Sequence, residues 1–546
     1  MLAAKVACPH CRAVLKSNKP VPDGTALNCP QCRRTFRVGV DVEAVKAGPP
    51  LGAAIAPPPA GFRPPPAPLA APRPSDPSIA LTPSSQKGRL FLVLGGLVFL
   101  AALGGVLLWL LTRRDGPDSA TTAGELVLPG GAKSVAKPKA RHLIALTPEE
   151  EKIVKEMTDK GVDWLKKTQH VDGTWAPYNG HMGSWPDGVT AMAGLTLLSC
   201  GVDAKDEAVR KAAARIRKTG PDLNRTYEIA LCILFLDKLD DPGDEKLIET
   251  LVFNLMSGQN VQGGWHYTCN KFSHEEQEQV FHALRQLDKQ SISFLQATPS
   301  ADQDRKVQDV VKDLPPRVRG LAAFSKPPDK AGGFFRGGGD NSNTQFAVLG
   351  LWAAKKRGLP VDRPLQLAVR RFKESQNADG SWFYDNRNVI PEPTMTCAGL
   401  LAMAVEYGVR GKDDPKAGRP EDNPAIKKGL DVVARSLTPP RDVKAKKAKA
   451  RAAYPPLYFV WSVERVGMLF QLEKIAGKDW YRWGMDILHD HQLPDGHWHQ
   501  GWHATTDTVD TSFALLFLNR VNLAEDLTDK LTEFGLAAAT PPVRKE

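Results

Sequence analysis

From about position 145 onward, hydrophobic and polar residues fall into one repeated unit. An amphipathic stretch comes first, with apolar residues such as Leu365, Ala368 and Phe372, or Ile426, Leu430, Val433 and Leu437, at helical spacing. That spacing puts one face of a helix on a core. A glycine-bearing turn follows. Then comes a segment that is small and apolar almost all round: T-A-M-A-G-L-T-L-L from 190, T-Q-F-A-V-L-G-L-W-A-A from 344, M-T-C-A-G-L-L-A-M-A from 395 and T-S-F-A-L-L-F-L from 511. A helix apolar on every side is buried. The pattern therefore predicts an inner layer of helices wrapped by an amphipathic outer layer, with almost no strand signal. Thr147, Pro148 and the acids at 149–151 predict the first helix start: a capping hydroxyl, proline at N1, and negative charge against the dipole.

The turns between the two kinds of helix share a sequence. Q-H-V-D-G-T-W at 169–175, Q-N-V-Q-G-G-W at 259–265, Q-N-A-D-G-S-W at 376–382 and Q-L-P-D-G-H-W at 492–498 align without gaps. Glycine allows the positive φ at which a helix can end and the chain reverse. The indole buries a large surface, and the glutamine amide can bond to backbone ends. Gln169, Trp175, Gln259, Trp265, Gln376, Trp382, Gln492 and Trp498 thus read as structural staples.

These turns resemble the QW motifs of squalene and oxidosqualene cyclases. The alternation of inner and outer helices is similar to the α/α toroid shared by those enzymes, protein prenyltransferase β subunits and complement-like thioester domains. The resemblance covers residues 145–540 and implies an all-α fold, an α/α toroid of about six helical pairs. The four motifs are too widely spaced for every pair to carry one. The segments beginning at Arg225 and Pro456 are expected to open two of the others.

The N-terminal part has a different character. Cys8, Cys11, Cys29 and Cys32 form C-P-H-C and C-P-Q-C, a spacing that matches a tetrahedral four-thiolate zinc site. So small a segment cannot fold on Val6, Leu15, Leu27, Phe36 and Val38 alone, so zinc would supply most of its folding energy. Two disulfides are the competing reading. Residues 1–40 are expected to be a zinc ribbon, similar to modules at the N-termini of bacterial membrane proteins. A Pro/Ala-rich linker at 41–89 follows, too proline-rich to pack a core. Leu90 to Leu111 is an unbroken apolar run, about 33 Å long at the helical rise, which matches the hydrocarbon core of a bilayer. With Trp109 at its end and Arg113–Arg114 beyond, residues 90–112 are expected to span a membrane once. A second linker occupies 113–144. Nearby positive charge is tied across the span, and the thiolates favour a cytoplasmic ribbon with the toroid exocytoplasmic.

A net charge of +11 raises the question of nucleic acid. Much of it lies in linkers and in the basic run Arg441–Arg451, for which a solvated face is the default. No basic and aromatic pattern points to bases, so nucleic acid is not an expected partner.

A toroid offers one natural cavity, the mouth where inner helices begin and their free N–H groups converge. Asp187 and Thr190; Asp340, Asn343 and Thr344; Thr394 and Thr396; and Asp507, Asp510 and Thr511 stand at those starts. They suit a polar ligand pocket, and equally any N-cap. The cyclase resemblance implies an acid motif, D-x-D-D-T-A. Asp507-Thr-Val-Asp510-Thr-Ser is the nearest segment, so Asp507 and Asp510 are the candidate catalytic residues. The adjacent acidic pair is missing, and the chain is only 7% aromatic, which leaves few rings to stabilise cations. A prenyltransferase zinc would need partners such as His266 with Cys269, or His497, His499 and His503 near Asp507. Neither set reproduces the family's Asp-x-Cys element. The thioester sequence Gly-Cys-Gly-Glu-Gln does not occur. The reading is a membrane-anchored, ligand-binding or interaction toroid of the cell envelope with an unidentified ligand. The alternative is a terpenoid cyclase-like or prenyltransferase-like enzyme acting on a lipid at the membrane.

Overall fold

The structure, a computed structural model, describes four short strands within residues 4–37, and residues 144–535 apart from 176–178, 181–182, 291–299, 327–337, 386–389, 411–417, 439–454 and 501–504. The chain divides into two units, Met1–Gly130 and Gly131–Glu546. In the first, β1 (Ala4–Ala7) pairs antiparallel with β2 (Val14–Ser17), and β3 (Ala26–Asn28) with β4 (Thr35–Arg37). Register runs from Ala4 opposite Ser17 to Ala7 opposite Val14, and from Ala26 opposite Arg37 to Asn28 opposite Thr35. In sequence, each Cys-x-x-Cys falls in the connection of one hairpin. The four cysteines, both linkers, the apolar run at 90–112 and the basic run at 441–451 lie outside the described residues. Among those described, no helix is long and apolar enough to cross a membrane.

The second unit is helical, apart from a two-residue hairpin at Asn179–Gly180 and Gly183–Ser184. Outer and inner helices alternate: α1 (Pro148–Thr168) and α2 (Pro186–Ser199), then α3 (Glu207–Thr219) and α4 (Thr226–Leu239). Next, α5 (Glu245–Met256) is followed by three extra helices, α6 (His274–Lys289), α7 (Ala301–Val311) and the short α8 (Pro316–Arg319), before inner helix α9 (Asn341–Lys356). The pairs α10 (Asp362–Ser375) with α11 (Pro393–Arg410), α12 (Pro424–Ser436) with α13 (Leu457–Leu469), and α14 (Trp480–His491) with α15 (Asp507–Leu518) complete the circuit. Arg225 and Pro456 are the N-caps of α4 and α13. Each inner helix packs on the next, α2 on α4, α4 on α9, α9 on α11, α11 on α13 and α13 on α15, and α15 returns to α2. Among the described residues this is a closed ring of six inner helices inside six outer ones, an α/α toroid.

Burial explains the two compositions. In α9 every residue from Asn341 to Ala354 is buried, as an inner-ring helix with packed neighbours on all sides requires. In the outer α3 only Ala208, Val209, Ala212, Ala213 and Ile216 are buried, one stripe.

The four turns do the same job four times. Each tryptophan is fully buried, and its indole N–H donates to a carbonyl near the end of the preceding outer helix: Trp175 to Leu165 (2.8 Å), Trp265 to Leu255 (2.7 Å), Trp382 to Phe372 (2.8 Å) and Trp498 to Leu488 (2.8 Å). Each glutamine amide donates twice, once to its own turn glycine and once to a carbonyl of the next outer helix, in its first turn for the first three and in mid-helix for Gln492. Those second acceptors are Ala208 (2.9 Å), Pro364 (2.9 Å), Ala425 (2.9 Å) and Met157 (2.9 Å). The glycines have φ of +86°, +80°, +93° and +102° at Gly173, Gly263, Gly380 and Gly496. A Cβ there would lie 2.2–2.6 Å from the carbonyl oxygen of Lys211, Leu367, Lys428 or Lys160 on that next helix. Glycine is therefore required twice over, by φ and by the close approach of two backbones.

The last turn closes the ring, because Gln492 bonds to α1. Arg482 on α14 adds a two-pronged pair with Glu150 (2.6 and 2.9 Å). The Asn519 amide after α15 reaches the Thr158 hydroxyl at 3.3 Å and the Cys200 sulfur at 3.4 Å. A final helix, α16 (Glu525–Glu533), packs on α11 and α13. Its Asp526 accepts from the Trp352 indole at the C-terminal part of α9 (3.1 Å), and Thr528 donates to the Leu469 carbonyl (3.2 Å). It thereby covers C-terminal ends of the inner ring, at the end opposite the mouth.

Candidate functional site: the mouth of the toroid

At the mouth the inner-helix N-termini are largely satisfied from within. Thr506 caps α15. Asp340 caps α9: one oxygen accepts from the Asn343 backbone N–H (2.7 Å) and the other from the Asn343 side chain (2.8 Å). Burial holds the Asp340 carboxyl above its usual range against those bonds. On α2, Glu228 of α4 reaches across and accepts from the backbone N–H groups of Asp187 and Gly188 (3.2 and 3.1 Å).

The residues expected at the mouth divide by where they point. Asp187 pairs with Arg215 of α3 (2.7 Å) and accepts from Thr219 (3.0 Å), so it ties α2 to the outer helix that follows it. Thr190 bonds back to the Pro186 carbonyl, and Thr396 to that of Glu392; Thr394 is buried. The Thr344 and Thr511 hydroxyls accept from the backbone N–H of Trp265 and Trp498, both at 3.1 Å, and so are parts of the turns. His266 accepts from the Gly339 N–H and is exposed, whereas Cys269 is buried against the Thr226 hydroxyl with its thiol pushed up to about 12 by burial. His499 pairs with Asp507 (2.6 Å), which raises the histidine's pKa. His497 pairs with Asp495 (2.7 Å) and stacks on Trp164. No group of three or more metal-ligating side chains occurs among the described residues; His503 lies outside them.

Asp510 is different. It is buried, one carboxylate oxygen accepts from the Gln500 backbone N–H (2.9 Å), and the other has no partner. Burial raises its pKa to about 6, opposed by hydrogen bonds from Gln500 and Thr505. Gln500 in turn accepts from the Leu457 N–H and donates to the Pro455 carbonyl, which ties Asp510 to the start of α13.

Inside the mouth lies an aromatic and hydroxyl system that the sequence did not single out. Phe346 of α9 packs on Tyr227 of α4 (ring centroids 5.1 Å apart), and also on Tyr458 and Trp461 of α13 (6.2 and 5.9 Å). Phe513 of α15 stacks on Tyr458 and Trp461 (5.4 and 5.0 Å). Because α9 and α13 are not neighbours in the ring, these contacts can only be made near its axis. Above them the half-buried rings of Trp185, Tyr227 and Tyr267 touch one another (5.6, 5.9 and 6.0 Å), and the Tyr267 and Tyr384 hydroxyls meet at 2.8 Å.

The hydroxyls form a chain. Tyr227 donates to Ser342 (2.7 Å), and Ser342 meets Tyr458 at the same distance. Gln345 donates to Tyr458, and the Gln345 carbonyl accepts from Arg465 (2.8 Å). Burial raises the phenols, Tyr458 to about 12, so they remain neutral donors and acceptors. Arg465 also donates to Ser462 (2.8 Å), and its guanidinium lies 4.0 Å from the centre of the Trp461 ring. A sequence signal did exist: Glu464–Arg465 is a charged pair inside the otherwise apolar V-W-S-V-E-R-V-G-M-L-F, and charges in an inner helix need a reason.

The fold and mouth define the class, an α/α toroid with an aromatic cluster packed at its axis near the inner-helix N-termini. No protein-family model matches the sequence, and no curated protein matches it. Among solved structures, the chain is similar to the type II terpene cyclase MstE from Scytonema. A variant in complex with geranylgeranyl dihydroxybenzoate is 12% identical, with 71% of this chain and 100% of that chain covered and a TM-score of 0.40. The apo enzyme is 12% identical over 69% and 99%, with a TM-score of 0.39. A protein from Actinoplanes is 13% identical over 68% and 99%, with a TM-score of 0.37. These likenesses concern the helical path and lend no residue of this chain a role.

Proposed function

We propose that the toroid is a ligand-binding module whose pocket is the mouth walled by Trp185, Tyr227, Tyr267, Tyr384 and Tyr458. The observation that carries this reading is the set of half-buried rings above a floor where Phe346 of α9 meets Tyr458 and Trp461 of the non-adjacent α13. Aromatic rings that keep an exposed face and a hydroxyl suit a ligand with an apolar body and a few polar atoms. In this reading residues 90–112 hold the module at a membrane. Cys8, Cys11, Cys29 and Cys32, in the connections of two antiparallel hairpins, hold a structural zinc on the other side.

A second reading, acid chemistry of the terpenoid-cyclase kind, is favoured by Asp510, a buried carboxyl raised to about 6 with one oxygen unpartnered. Against it stands Arg465, a cation stacked on the lumen ring Trp461, because a carbocation formed among these rings would be repelled by it. Incubating the full chain with squalene and with prenyl diphosphates, then analysing bound and free material, tests both readings. Bound and unaltered ligand is expected. A cyclised product that disappears in Asp510→Asn would establish the enzyme reading instead, and no binding of any apolar ligand would remove the pocket.

A further inference from the structure

We infer that Arg465 is the anion-recognising group of the lumen, and that the ligand is an aromatic or apolar body carrying one acidic group, a carboxylate or a phosphate. The inference rests on the mouth being the ligand pocket. Arg465 is 8% exposed, and it makes no ion pair within 4.0 Å among the described residues. Its Nη2 is used by Gln345 and Ser462, while its Nη1 is buried with no hydrogen-bond partner. A buried cation without a counter-charge is costly, and natural interiors pair such groups.

The adjacent carboxyl does not serve. Neither Glu464 oxygen has a hydrogen-bond partner, neither lies within ion-pair distance of Arg465, and burial pushes the Glu464 carboxyl up against the opposing pull of that guanidinium. Each of the other three buried arginines also has a terminal nitrogen outside any hydrogen bond, but each has a carboxylate at hand: Arg371 bonds to Asn341 and the Gly339 carbonyl with Asp340 and Asp385 nearby, Arg370 pairs with Glu374, and Arg363 bonds to the Ala323 carbonyl with Asp288 and Asp304 nearby. Of these four, Arg465 is the one that lies against the axial aromatic cluster, over Trp461.

Its direction also fits. Side chains on a helix lean toward the helix N-terminus, so a long side chain on α13 reaches back toward the mouth. The hydroxyl chain Tyr227–Ser342–Tyr458–Gln345 leads from the half-buried rings to the guanidinium. A planar guanidinium suits carboxylate or phosphate, and Nη1, buried and outside any hydrogen bond above the Trp461 ring, is the donor left for an anion.

The test uses the full chain and three soluble probes that share one ring system: 2-naphthoate, 2-naphthyl phosphate and uncharged 2-naphthalenemethanol, titrated by calorimetry. Wild-type protein is expected to bind at least one anion about tenfold or more tighter than the alcohol, since a hydrogen bond to a charged group is worth about that much. Which anion binds tighter distinguishes carboxylate from phosphate ligands. Arg465→Met should erase the preference while the alcohol still binds, and Arg465→Lys should keep part of it. Equal binding of anion and alcohol by wild-type protein overturns the inference and leaves the pocket standing. A preference that survives in Arg465→Met also overturns it, and no binding of any probe overturns the pocket and the inference together. The wild-type comparison needs no variant to fold.

Discussion

Replacing Gly380 with alanine separates the two demands that the repeated turn places on its glycine. Gly380 has φ +93°, and an added Cβ would sit 2.5 Å from the Lys428 Cβ and 2.6 Å from the Lys428 carbonyl carbon and oxygen on α12. The left-handed conformation costs an alanine about 1–2 kcal/mol. The clash is with backbone, so it cannot be relieved by a side-chain rotation, and overpacking of this kind adds about 1–3 kcal/mol. Gly358, after α9, supplies the control: its φ is +78°, and nothing lies within 4 Å of the place an added methyl group would take. Gly358→Ala should therefore show the conformational part alone. Urea unfolding of both variants, followed by tryptophan fluorescence, is expected to give a larger loss for Gly380→Ala by about 1–3 kcal/mol. Equal losses would refute the contact between turn and helix on which the stapling argument rests.

Three further outcomes follow from the same geometry. Gln492→Ala removes the bond within the last turn to Gly496 (2.8 Å) and the bond that fastens that turn to Met157 of α1 (2.9 Å); a loss of about 1–3 kcal/mol is expected, with faster amide exchange in residues 148–168 than in residues 362–375. The folded pKa of Asp510, about 6, lies above its ordinary 3.8, so its contribution is fully present below about pH 4 and is lost as pH rises through 6. A difference of that size is worth about 3 kcal/mol. Asp510→Asn should flatten the decline in stability between pH 4 and 7, and an unchanged pH profile would show the carboxyl to be solvated. Mass spectrometry of the native full chain should find one zinc per chain, lost when Cys8 and Cys29 are both replaced by serine; a metal-free native chain would contradict the ribbon.

Much of the fold was legible in the sequence because its signals are local. A glutamine, a glycine and a tryptophan at fixed spacing state both the reversal and the packing, and small apolar segments state which helices are inside. The pocket was less legible. Threonines and aspartates at helix starts look alike whether they cap, clamp a turn as Thr344 and Thr511 do, or pair with an outer helix as Asp187 does. Only the path of the chain separates them. The lumen rings escaped notice for a related reason: overall aromatic content is low, yet Tyr227, Phe346, Tyr458, Trp461 and Phe513 come from four helices far apart in sequence and converge on one axis. Arg465 was visible as a charge in an apolar helix, and its role follows only from what surrounds it.

The closed ring itself is tested most directly at its seam, where the segment after the last inner helix meets the segment after the first. Asn519 lies 3.4 Å from the native Cys200 sulfur, although the two are 319 positions apart. In Asn519→Cys, mild oxidation or a short bismaleimide should link positions 200 and 519 within one chain, read by peptide mass mapping. Failure to recover that link from folded protein, or its appearance only between chains, would mean that the helices do not close into a toroid.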